Sequence, residues 1–421
     1  MSVAFDSDVN LTVQIGFDSN PFDDSQSFTD ISSFVRNIRI NRGRLNELND
    51  FSSGSCTLTL SNADNRFNPS NTSSPYFDSS NGITKIQPLK TVKISASYDG
   101  STYVIFFGYL NDIPVRFPND GADSVVTFTA TDAFKIFQSQ TIQSVGWRIG
   151  KAGFSELGIS TALGYDDAVE LTSVRVSRLL NSIGFPSSLR DINTGTLNIQ
   201  QQTVSTNLLT ALKECETAEN AQFFMASDGK ATFRNRDYRL TNSLATNSQA
   251  TFDNSGSNLP FTNVSLSFDT KEVFNVYEWT RSGWSLQTVA DSDSIAKYRP
   301  ITNTKTTLNT SNANVLSIIQ QKLTETSIPI VRIDSLEVNP RQNTSIWTQA
   351  LNREIGDRIT VNITNPDSST FSDELLIESI SHTINASDQT WNWIVSLSPA
   401  GSSAWVLGQA KLGEGTRFAY S

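Results

Sequence analysis

The sequence predicts a mainly β protein with a minor helical part, in an α+β arrangement. Three observations support this fold class. The apolar fraction is 37%, below the usual globular share, and serine, threonine and asparagine are abundant, as expected for many short strands joined by polar turns. Short segments alternate between apolar and polar residues along most of the chain. A few stretches instead repeat apolar residues every three or four positions, which is the spacing of a helix.

The length of 421 residues is too great for one ordinary hydrophobic core. At roughly 100 to 200 residues per domain, two to four domains are expected. Changes in periodicity predict a first β domain, a smaller α+β domain, a second β-rich domain of similar size to the first, and a C-terminal arm, at residues 1–137, 138–254, 255–400 and 401–421 respectively.

The first domain is predicted from repeated short β segments. In the segment 91–98, Val92, Ile94 and Ala96 alternate with polar residues, so one face of this strand is apolar. An Asp-Gly pair follows at residues 99–100, and between two such runs it predicts a tight hairpin because glycine accepts a positive φ. A small barrel or sandwich is expected, with strands at 12–17, 35–41, 56–61, 91–98, 102–110 and 125–131.

The middle domain is predicted to contain two helices. A short helix is expected around Leu179, Leu180 and Ile183, and it should end at Gly184 and Pro186. A second helix is predicted by apolar residues at three-and-four spacing, namely Leu208, Leu209, Leu212, Cys215 and Ala218.

A second hairpin is predicted in the middle domain, at the Asp-Gly pair 228–229 between two apolar strands. Three arginines follow it, Arg234, Arg236 and Arg239. We interpret these arginines as salt-bridging residues on a face of the domain and not as a ligand site.

The second β-rich domain begins after a polar turn region at residues 242–258. A helix is predicted at 313–323, with Ser311 or Asn312 as its N-cap, because apolar residues then recur on one face. Strands are expected to resume from residue 261 and to include 273–279, 284–288, 330–338, 358–364, 375–384 and 391–397.

Charge, cysteine content and hydropathy exclude several classes of protein. The formal net charge of -10 comes from 32 basic and 42 acidic residues without a basic stripe, so stable nucleic-acid binding is not expected. Cys56 and Cys215 fit no close metal-ligand pair and are expected to be reduced, buried thiols. The first residues lack the pattern of a secretion signal, and no stretch approaches the roughly 18 apolar residues of a membrane-spanning helix.

Few residues in the sequence have the patterns of catalytic sites. His382 is the single histidine, and it shares a predicted strand face with Leu376, Ile380 and Ile384, so a half-buried structural histidine is expected. A catalytic triad through Asp388 is the alternative. Phosphate-binding, dinucleotide-binding and calcium-loop motifs do not occur. We therefore expect no enzyme activity, no cofactor and no metal ion.

Two groups of residues leave carbohydrate chemistry open as an alternative. Paired carboxylates can act as glycosidase acids, although adjacent acidic residues in loops are more often solvated. Trp391 and Trp393 alternate on one strand face and could stack a sugar ring, although such pairs are more often core or interface anchors. The carboxylate pairs are Asp23 with Asp24, Asp166 with Asp167, and Asp373 with Glu374.

The C-terminal arm, residues 401–421, carries large apolar side chains in a glycine-rich segment that is too short to form its own core. We expect it to dock onto either its own subunit or a neighbour. The candidate assembly-interface residues are Trp405, Leu407, Leu412, Phe418 and Tyr420.

Several motifs, taken in their order, allow a comparison with known families. Residues 354–361 read Glu-Ile-Gly-Asp-Arg-Ile-Thr-Val, and residues 391–399 read Trp-Asn-Trp-Ile-Val-Ser-Leu-Ser-Pro. Further motifs lie at 41–69, 179–186, 190–195, 223–236, 377–384 and 405–420. Together they resemble the tail-tip hub and minor tail proteins of long-tailed phages, which are similar to the baseplate hub of contractile-tailed phages. The resemblance covers nearly the whole chain.

This resemblance implies a trimeric hub in which residues 1–137 and 255–400 form barrel-like domains flanking the smaller α/β part. Such a hub terminates the tail tube, anchors tape-measure and fibre or spike proteins, and forms part of the DNA-ejection channel at the virion tail tip. It implies assembly in the host cytoplasm, contact with distal tail or tail tube proteins, and passage of DNA without specific binding. A net negative channel would repel the phosphate backbone and let DNA slide.

Three alternatives stay open beside the hub. A hexameric distal tail protein is another ring at the end of a tail, although the middle domain with its Asp-Gly hairpin and Phe-Arg strand favours the hub. The other two are a cell-wall-degrading tail enzyme and a free carbohydrate-binding module.

Overall fold

The structure, a computed structural model, describes residues 3–4, 9–23, 25–117, 123–143, 170–200 and 205–401. These residues contain 28 β-strands and eight α-helices, so the predicted mainly β class with a minor helical part is confirmed. The largest sheet has 16 strands. Within the described ranges, the first and last strands of this sheet do not pair with each other. The predicted barrel-like domains, residues 1–137 and 255–400, therefore do not form closed barrels in the described part of the chain.

The first lobe, which we define as strands β1 to β11, forms one half of this sheet in the order β2-β8-β9-β11-β5-β4. All six strands predicted from alternation are present, and two of them have the predicted ends. The strands are β1 (Val3–Ala4), β2 (Asn10–Ile15), β3 (Thr29–Asp30), β4 (Val35–Gly43), β5 (Ser52–Ser61), β6 (Phe77–Asp78), β7 (Ile83–Thr84), β8 (Thr91–Tyr98), β9 (Ser101–Asp112), β10 (Val115–Arg116) and β11 (Val125–Thr131).

The hairpin between β8 and β9 confirms the first predicted turn. Asp99 and Gly100 have φ angles of 47° and 74°, as a tight turn with two left-handed residues requires. The alternation of β8 is also confirmed, because Val92, Ile94 and Ala96 are buried in the core of the first lobe.

The middle part comprises β12 to β18 and helices α1 to α5, and its core is separate from that of the first lobe. The two predicted helices are α2, which ends just before Gly184, and α3. The second predicted hairpin joins β17 and β18. The elements are α1 (Ala133–Ser139), β12 (Thr141–Gln143), β13 (Glu170–Leu171), α2 (Thr172–Ser182), β14 (Arg190–Ile192), β15 (Asn198–Ile199), β16 (Ser205–Asn207), α3 (Leu208–Glu219), β17 (Gln222–Met225), β18 (Ala231–Arg234), α4 (Tyr238–Thr241) and α5 (Ser243–Thr246).

The second lobe, β19 to β28 with helices α6 to α8, continues the large sheet in the order β20-β19-β26-β27-β28-β25-β21. Its elements are β19 (Thr251–Asp253), β20 (Leu259–Pro260), β21 (Asn263–Ser267), β22 (Val276–Arg281), β23 (Leu286–Ala290), α6 (Ser292–Tyr298), β24 (Thr302–Thr307), α7 (Asn312–Thr326), β25 (Arg332–Val338), α8 (Thr344–Asn352), β26 (Arg358–Thr364), β27 (Thr370–Asn385) and β28 (Thr390–Pro399). Short 3-10 helices occur at Ser32–Phe34, Ser187–Leu189 and Pro340–Gln342.

A small sheet of β23, β22 and β24 lies between β21 and β25 in the chain and packs against α7. The helix matches the predicted one, and its N-cap is Ser311, whose hydroxyl accepts a hydrogen bond from the N–H of Asn314. The shared core consists of Tyr277, Trp279, Val315, Ile318 and Ile319.

The two lobes are joined by the pairing of β4 with β27. The first half of β27 pairs with β26 of the second lobe, and its last half pairs with β4, from Ser379 opposite Gly43 to Asn385 opposite Asn37. The lobes also share a core, because Trp347, Ile384 and Trp391 pack among the buried residues of the first lobe. Residues from the last third of the chain therefore complete the fold of the first lobe.

We predict that Gly43→Ala disrupts this joint. Gly43 has a φ of +105°, and a Cβ atom there would collide with the backbone carbonyl oxygen of Glu378. The substitution should lower the free energy of unfolding by about 3 kcal/mol or more, at the upper end of single substitutions. Urea unfolding followed by circular dichroism measures this loss.

The matched control is Gly82→Ala. Gly82 also has a positive φ, +68°, but a Cβ atom there would meet nothing within 4 Å. Only the left-handed backbone is then strained, at about 1 to 2 kcal/mol. Equal losses for the two variants would show that close packing at the joint contributes nothing.

Candidate functional site at the junction between the lobes

The motif that begins at Glu354 lies where both lobes and the middle part meet. Glu354 accepts a hydrogen bond from Nη1 of Arg42 at 2.9 Å and another from the backbone N–H of Ser227 at 2.8 Å. Arg42 belongs to β4 of the first lobe, and Ser227 lies in the hairpin between β17 and β18. One carboxylate of the second lobe thus binds groups from both of its neighbours.

The residues after Glu354 extend the junction. Ile355 packs in the core of the middle part. Gly356 has a φ of 89°, and its N–H donates to the carbonyl of Ile377 at 2.8 Å. Arg358 donates from Nε to the carbonyl of Ala245 at 2.7 Å. The motif therefore holds the parts of the molecule together.

A charged network crosses the same junction. Glu378 on β27 is fully buried, and its two carboxylate oxygens contact Nε of Arg44 at 2.7 Å and Nη2 of Arg239 at 3.0 Å. Arg239 also pairs with Glu47 at 3.0 Å. A buried carboxylate is tolerated only where charged partners replace water. The network thus links the second lobe to a loop of the first lobe and to α4 of the middle part.

The predicted role of the three arginines after the second hairpin is confirmed. Arg234 pairs with Asp191 at 3.1 Å, Arg236 lies 3.9 Å from Asp237, and Arg239 joins the network of Glu378. These contacts are ion pairs within the protein.

His382 is more deeply buried than predicted. It is only 2% exposed, whereas a half-buried position was expected. Its Nδ1 accepts a hydrogen bond from Nε1 of Trp391 at 3.1 Å. Burial, together with the charge of Arg42, lowers the pKa of His382 to about 3. The ring is therefore neutral near pH 7 and acts as a buried hydrogen-bond acceptor.

Trp391 and Trp393 are both fully buried, which confirms their interpretation as core anchors. Trp391 packs in the core of the first lobe and Trp393 in the core of the second. Since neither ring is accessible, this pair offers no stacking surface for a sugar. The two residues instead connect both cores along β28.

The predicted carboxylate pairs do not converge where the structure describes them. Asp373 and Glu374 are adjacent on β27, and adjacent strand residues point to opposite faces. Glu374 pairs with Arg358 at 2.6 Å, whereas burial raises the pKa of Asp373 to about 6. Asp23 accepts a hydrogen bond from the N–H of Asn20 in a turn. The residues Asp24, Asp166 and Asp167 lie outside the described ranges.

Cys56 and Cys215 are buried and unbonded to each other, as predicted. Burial raises the pKa of both thiols, that of Cys215 to about 12. Across the described ranges, no group of three or more histidine, cysteine, aspartate or glutamate residues could hold a metal ion. No helix in the part of the chain that the structure describes is long and apolar enough to cross a membrane.

The predicted assembly residues of the arm lie outside the described part of the chain, which ends at residue 401. Their role in assembly stays a prediction. They are Trp405, Leu407, Leu412, Phe418 and Tyr420.

Known structures share this architecture over nearly its whole length. The tail protein from Neisseria meningitidis MC58 has a TM-score of 0.56 at 10% sequence identity, with 93% of this chain and 96% of that chain covered. The 43 kDa tail protein of prophage MuSo2 from Shewanella oneidensis has a TM-score of 0.53 at 13% identity, with 94% and 98% covered. No protein-family model matches the sequence, and the curated proteins contain no match to it.

The chain therefore has the fold of these tail proteins. At identities this low, the likeness concerns the fold alone. The resemblance predicted from the sequence motifs is confirmed at that level.

We predict that Glu378→Gln strongly destabilises the junction. The change leaves Arg44 and Arg239 without their shared buried carboxylate, and loss of one member of a buried ion pair costs about 3 to 5 kcal/mol. Thermal or urea unfolding measures the loss. The control is Asp18→Asn, which removes the exposed pair with Lys85 and should cost less than about 1 kcal/mol. A comparably small loss for Glu378→Gln would contradict a stabilising network.

We also predict a pH-dependent contribution from Asp357, which lies in the junction. Burial raises its pKa to about 6, although the charge of Arg353 opposes this. The ordinary carboxyl pKa of 3.8 applies to the unfolded chain, so the folded protein binds an additional proton between about pH 4 and 6. The contribution of the Asp357 carboxyl to the free energy of unfolding therefore rises as the pH falls from about 6 to 4.

The measurement compares the wild type with Asp357→Asn at several pH values. The unfolding free energy of the wild type minus that of Asp357→Asn should be larger at pH 4 than at pH 6, by on the order of 2 kcal/mol. Asp78→Asn is the control, because hydrogen bonds from Asn81 lower the pKa of Asp78 and the difference should change in the opposite direction. A pH-independent difference for Asp357→Asn would refute the assignment.

Proposed function

We propose that this chain is a structural protein of a phage tail and forms a trimeric hub at the tail tip or baseplate. The observation that carries the proposal is the likeness to two tail proteins, which extends over nearly the whole of this chain and of theirs. Both lobes and the middle part fall within it. The order of the sequence motifs supports the hub over other tail proteins.

The joint between the lobes supports a ring-forming role. The β4-β27 pairing and the shared core fix two β lobes at one relative orientation. Three such subunits present six β lobes, which suits docking to a sixfold tail tube. Among the described residues, the sheet path ends in strands that are paired on one side only, and a closed ring of subunits covers such edges.

In this role the hub terminates the tail tube, anchors the tape-measure and fibre or spike proteins, and surrounds part of the DNA-ejection channel. The formal net charge of -10 supports a channel that DNA passes without binding. Its partners are further copies of the same chain and the distal tail or tail tube proteins. The protein is assembled in the host cytoplasm and resides in the virion tail.

We further propose that the role is mechanical and not enzymatic. Binding energy then comes from subunit interfaces, typically more than about 2,000 Å² when the assembly is obligate. The burial of His382 and the opposite orientations of Asp373 and Glu374 support this view.

We predict that the purified protein forms a trimer whose population rises with concentration. Light scattering after size exclusion, at several protein concentrations, should approach three times the 46.3 kDa mass of one chain. A mass of six chains would contradict the trimeric hub and would favour the hexameric distal tail protein. A monomer at the highest accessible concentration, both alone and with tail tube protein added, would overturn the trimer.

A further inference from the structure

The turn between β6 and β7 contains the only Asn-Gly pair of the sequence, Asn81 followed by Gly82. The loop of residues 79–82 joins Asp78 to Ile83, which are paired with each other across the two strands. Gly82 has a φ of 68°, a left-handed backbone conformation that glycine adopts without strain. The turn therefore explains the glycine, and it places an asparagine directly before it.

An asparagine in this position is chemically labile, because glycine has no side chain to shield its backbone nitrogen. Once the nitrogen of Gly82 has lost its proton to base, it can attack the side-chain carbonyl carbon Cγ of Asn81. A new N–C bond then closes a succinimide ring, the bond between Cγ and Nδ2 breaks, and Nδ2 leaves as ammonia. Water opens the ring at either carbonyl, so the residue becomes aspartate or isoaspartate.

Neither burial nor packing shields this pair. Asn81 and Gly82 are both exposed, so water and base reach them. A Cβ atom built on Gly82 would meet nothing within 4 Å, so no neighbouring group covers its backbone. Any protection must therefore come from the hydrogen bonds of the turn itself.

Asp78 binds the groups that must move in the reaction. Its backbone carbonyl oxygen accepts a hydrogen bond from the N–H of Gly82 at 2.8 Å, which holds the proton on the attacking nitrogen. Its Oδ2 accepts one from Nδ2 of Asn81 at 2.7 Å, which restricts rotation of the amide group under attack. Its Oδ1 accepts the backbone N–H groups of Ser80 at 3.0 Å and of Asn81 at 3.3 Å. One residue thus binds both reacting groups.

The carboxylate of Asp78 remains charged in this turn. The hydrogen bonds from the side chain and backbone of Asn81 lower the pKa of Asp78. A hydrogen bond to an ionised carboxylate is stronger than one between neutral groups. The contact with Nδ2 of Asn81 is therefore present at neutral and mildly alkaline pH, where loss of the backbone proton becomes easier.

The base of the hairpin is fixed to the first lobe. Tyr76 and Ile86, on either side of β6 and β7, are buried in the core of that lobe. The N–H of Lys85 donates to the carbonyl oxygen of Tyr76 at 2.8 Å. The ends of the loop are thus held in place, and release of Asn81 requires a local opening of the turn.

We propose that Asn81 is a deamidation site of this protein and that Asp78 slows the reaction by binding the amide of Asn81 and the backbone N–H of Gly82. In the folded chain the reaction then requires an opening that breaks both hydrogen bonds. The product places a second carboxylate beside Asp78 in place of a donor, so the original contacts cannot form again. The inference is independent of the hub function, since every group involved belongs to one turn.

The rate of deamidation in the full-length protein tests the proposal. The folded protein is incubated in mildly alkaline buffer, digested with pepsin in acid, and analysed by mass spectrometry for conversion of Asn81 to aspartate and isoaspartate. The wild type unfolded in guanidinium chloride gives the unprotected rate. We expect the folded wild type to react about tenfold more slowly or less, because opening costs two hydrogen bonds.

Two substitutions separate the effect of Asp78 from that of the fold. Asp78→Ala removes the carboxylate and should raise the rate at Asn81 in the folded protein by about threefold or more. Asp78→Asn keeps an oxygen acceptor of the same size without the charge, so its rate should lie between those of Asp78→Ala and the wild type. Circular dichroism checks that both variants are folded.

The matched control is Asp367→Ala. Asp367 lies in the loop between β26 and β27, where its Oδ1 accepts a hydrogen bond from the N–H of Ser369 at 2.9 Å. This variant also removes a carboxylate from an exposed turn, and it should leave the rate at Asn81 unchanged. Wild-type rates for both Asp78 variants, an equal acceleration by Asp367→Ala, or a folded wild type that reacts as fast as the unfolded chain would each overturn the proposal.

Discussion

The antiparallel pairing of β4 with β27 is the constraint on which the rest of the structure depends. It places residues 37–43 beside residues 379–385, so the fold of the first lobe is completed only when the last third of the chain has been added. Closing so long a loop is entropically costly, and the cost is offset by the shared core around Ile384 and Trp391. Because β27 serves both lobes, neither can rotate without breaking this ladder.

Directional polar contacts give the joint its orientation. Two arginines at the end of β4 and just beyond it, Arg42 and Arg44, bind Glu354 and Glu378 of the second lobe. An apolar interface tolerates small shifts, whereas a buried ion pair requires a defined geometry. The hairpin of the middle part is held by the same Glu354 through Ser227. One small group of carboxylates therefore sets the positions of all three parts.

Elements whose signals are local were predicted well from the sequence. β8 and β11 have the predicted ends, because alternation and turn residues are readable within ten positions. The helix α7 followed from periodicity and Ser311. Helices α1, α4, α5, α6 and α8 were missed, because each is only four to nine residues long. For α1 and α8 the N-caps, Asp132 and Asn343, were the available signals, since each accepts a hydrogen bond from the first turn.

The sequence by itself determined the mainly β class, the main strands and helices, the two Asp-Gly turns and the likeness to tail proteins, because each depends on neighbouring residues or on motif order. Only the tertiary structure decided that the motif at Glu354 is a joint, since Arg42 lies 312 positions away. The burial of His382 and the exposure of the Leu266 side chain were likewise decided by the tertiary structure. These features depend on which distant strand lies alongside, and no local pattern encodes that choice.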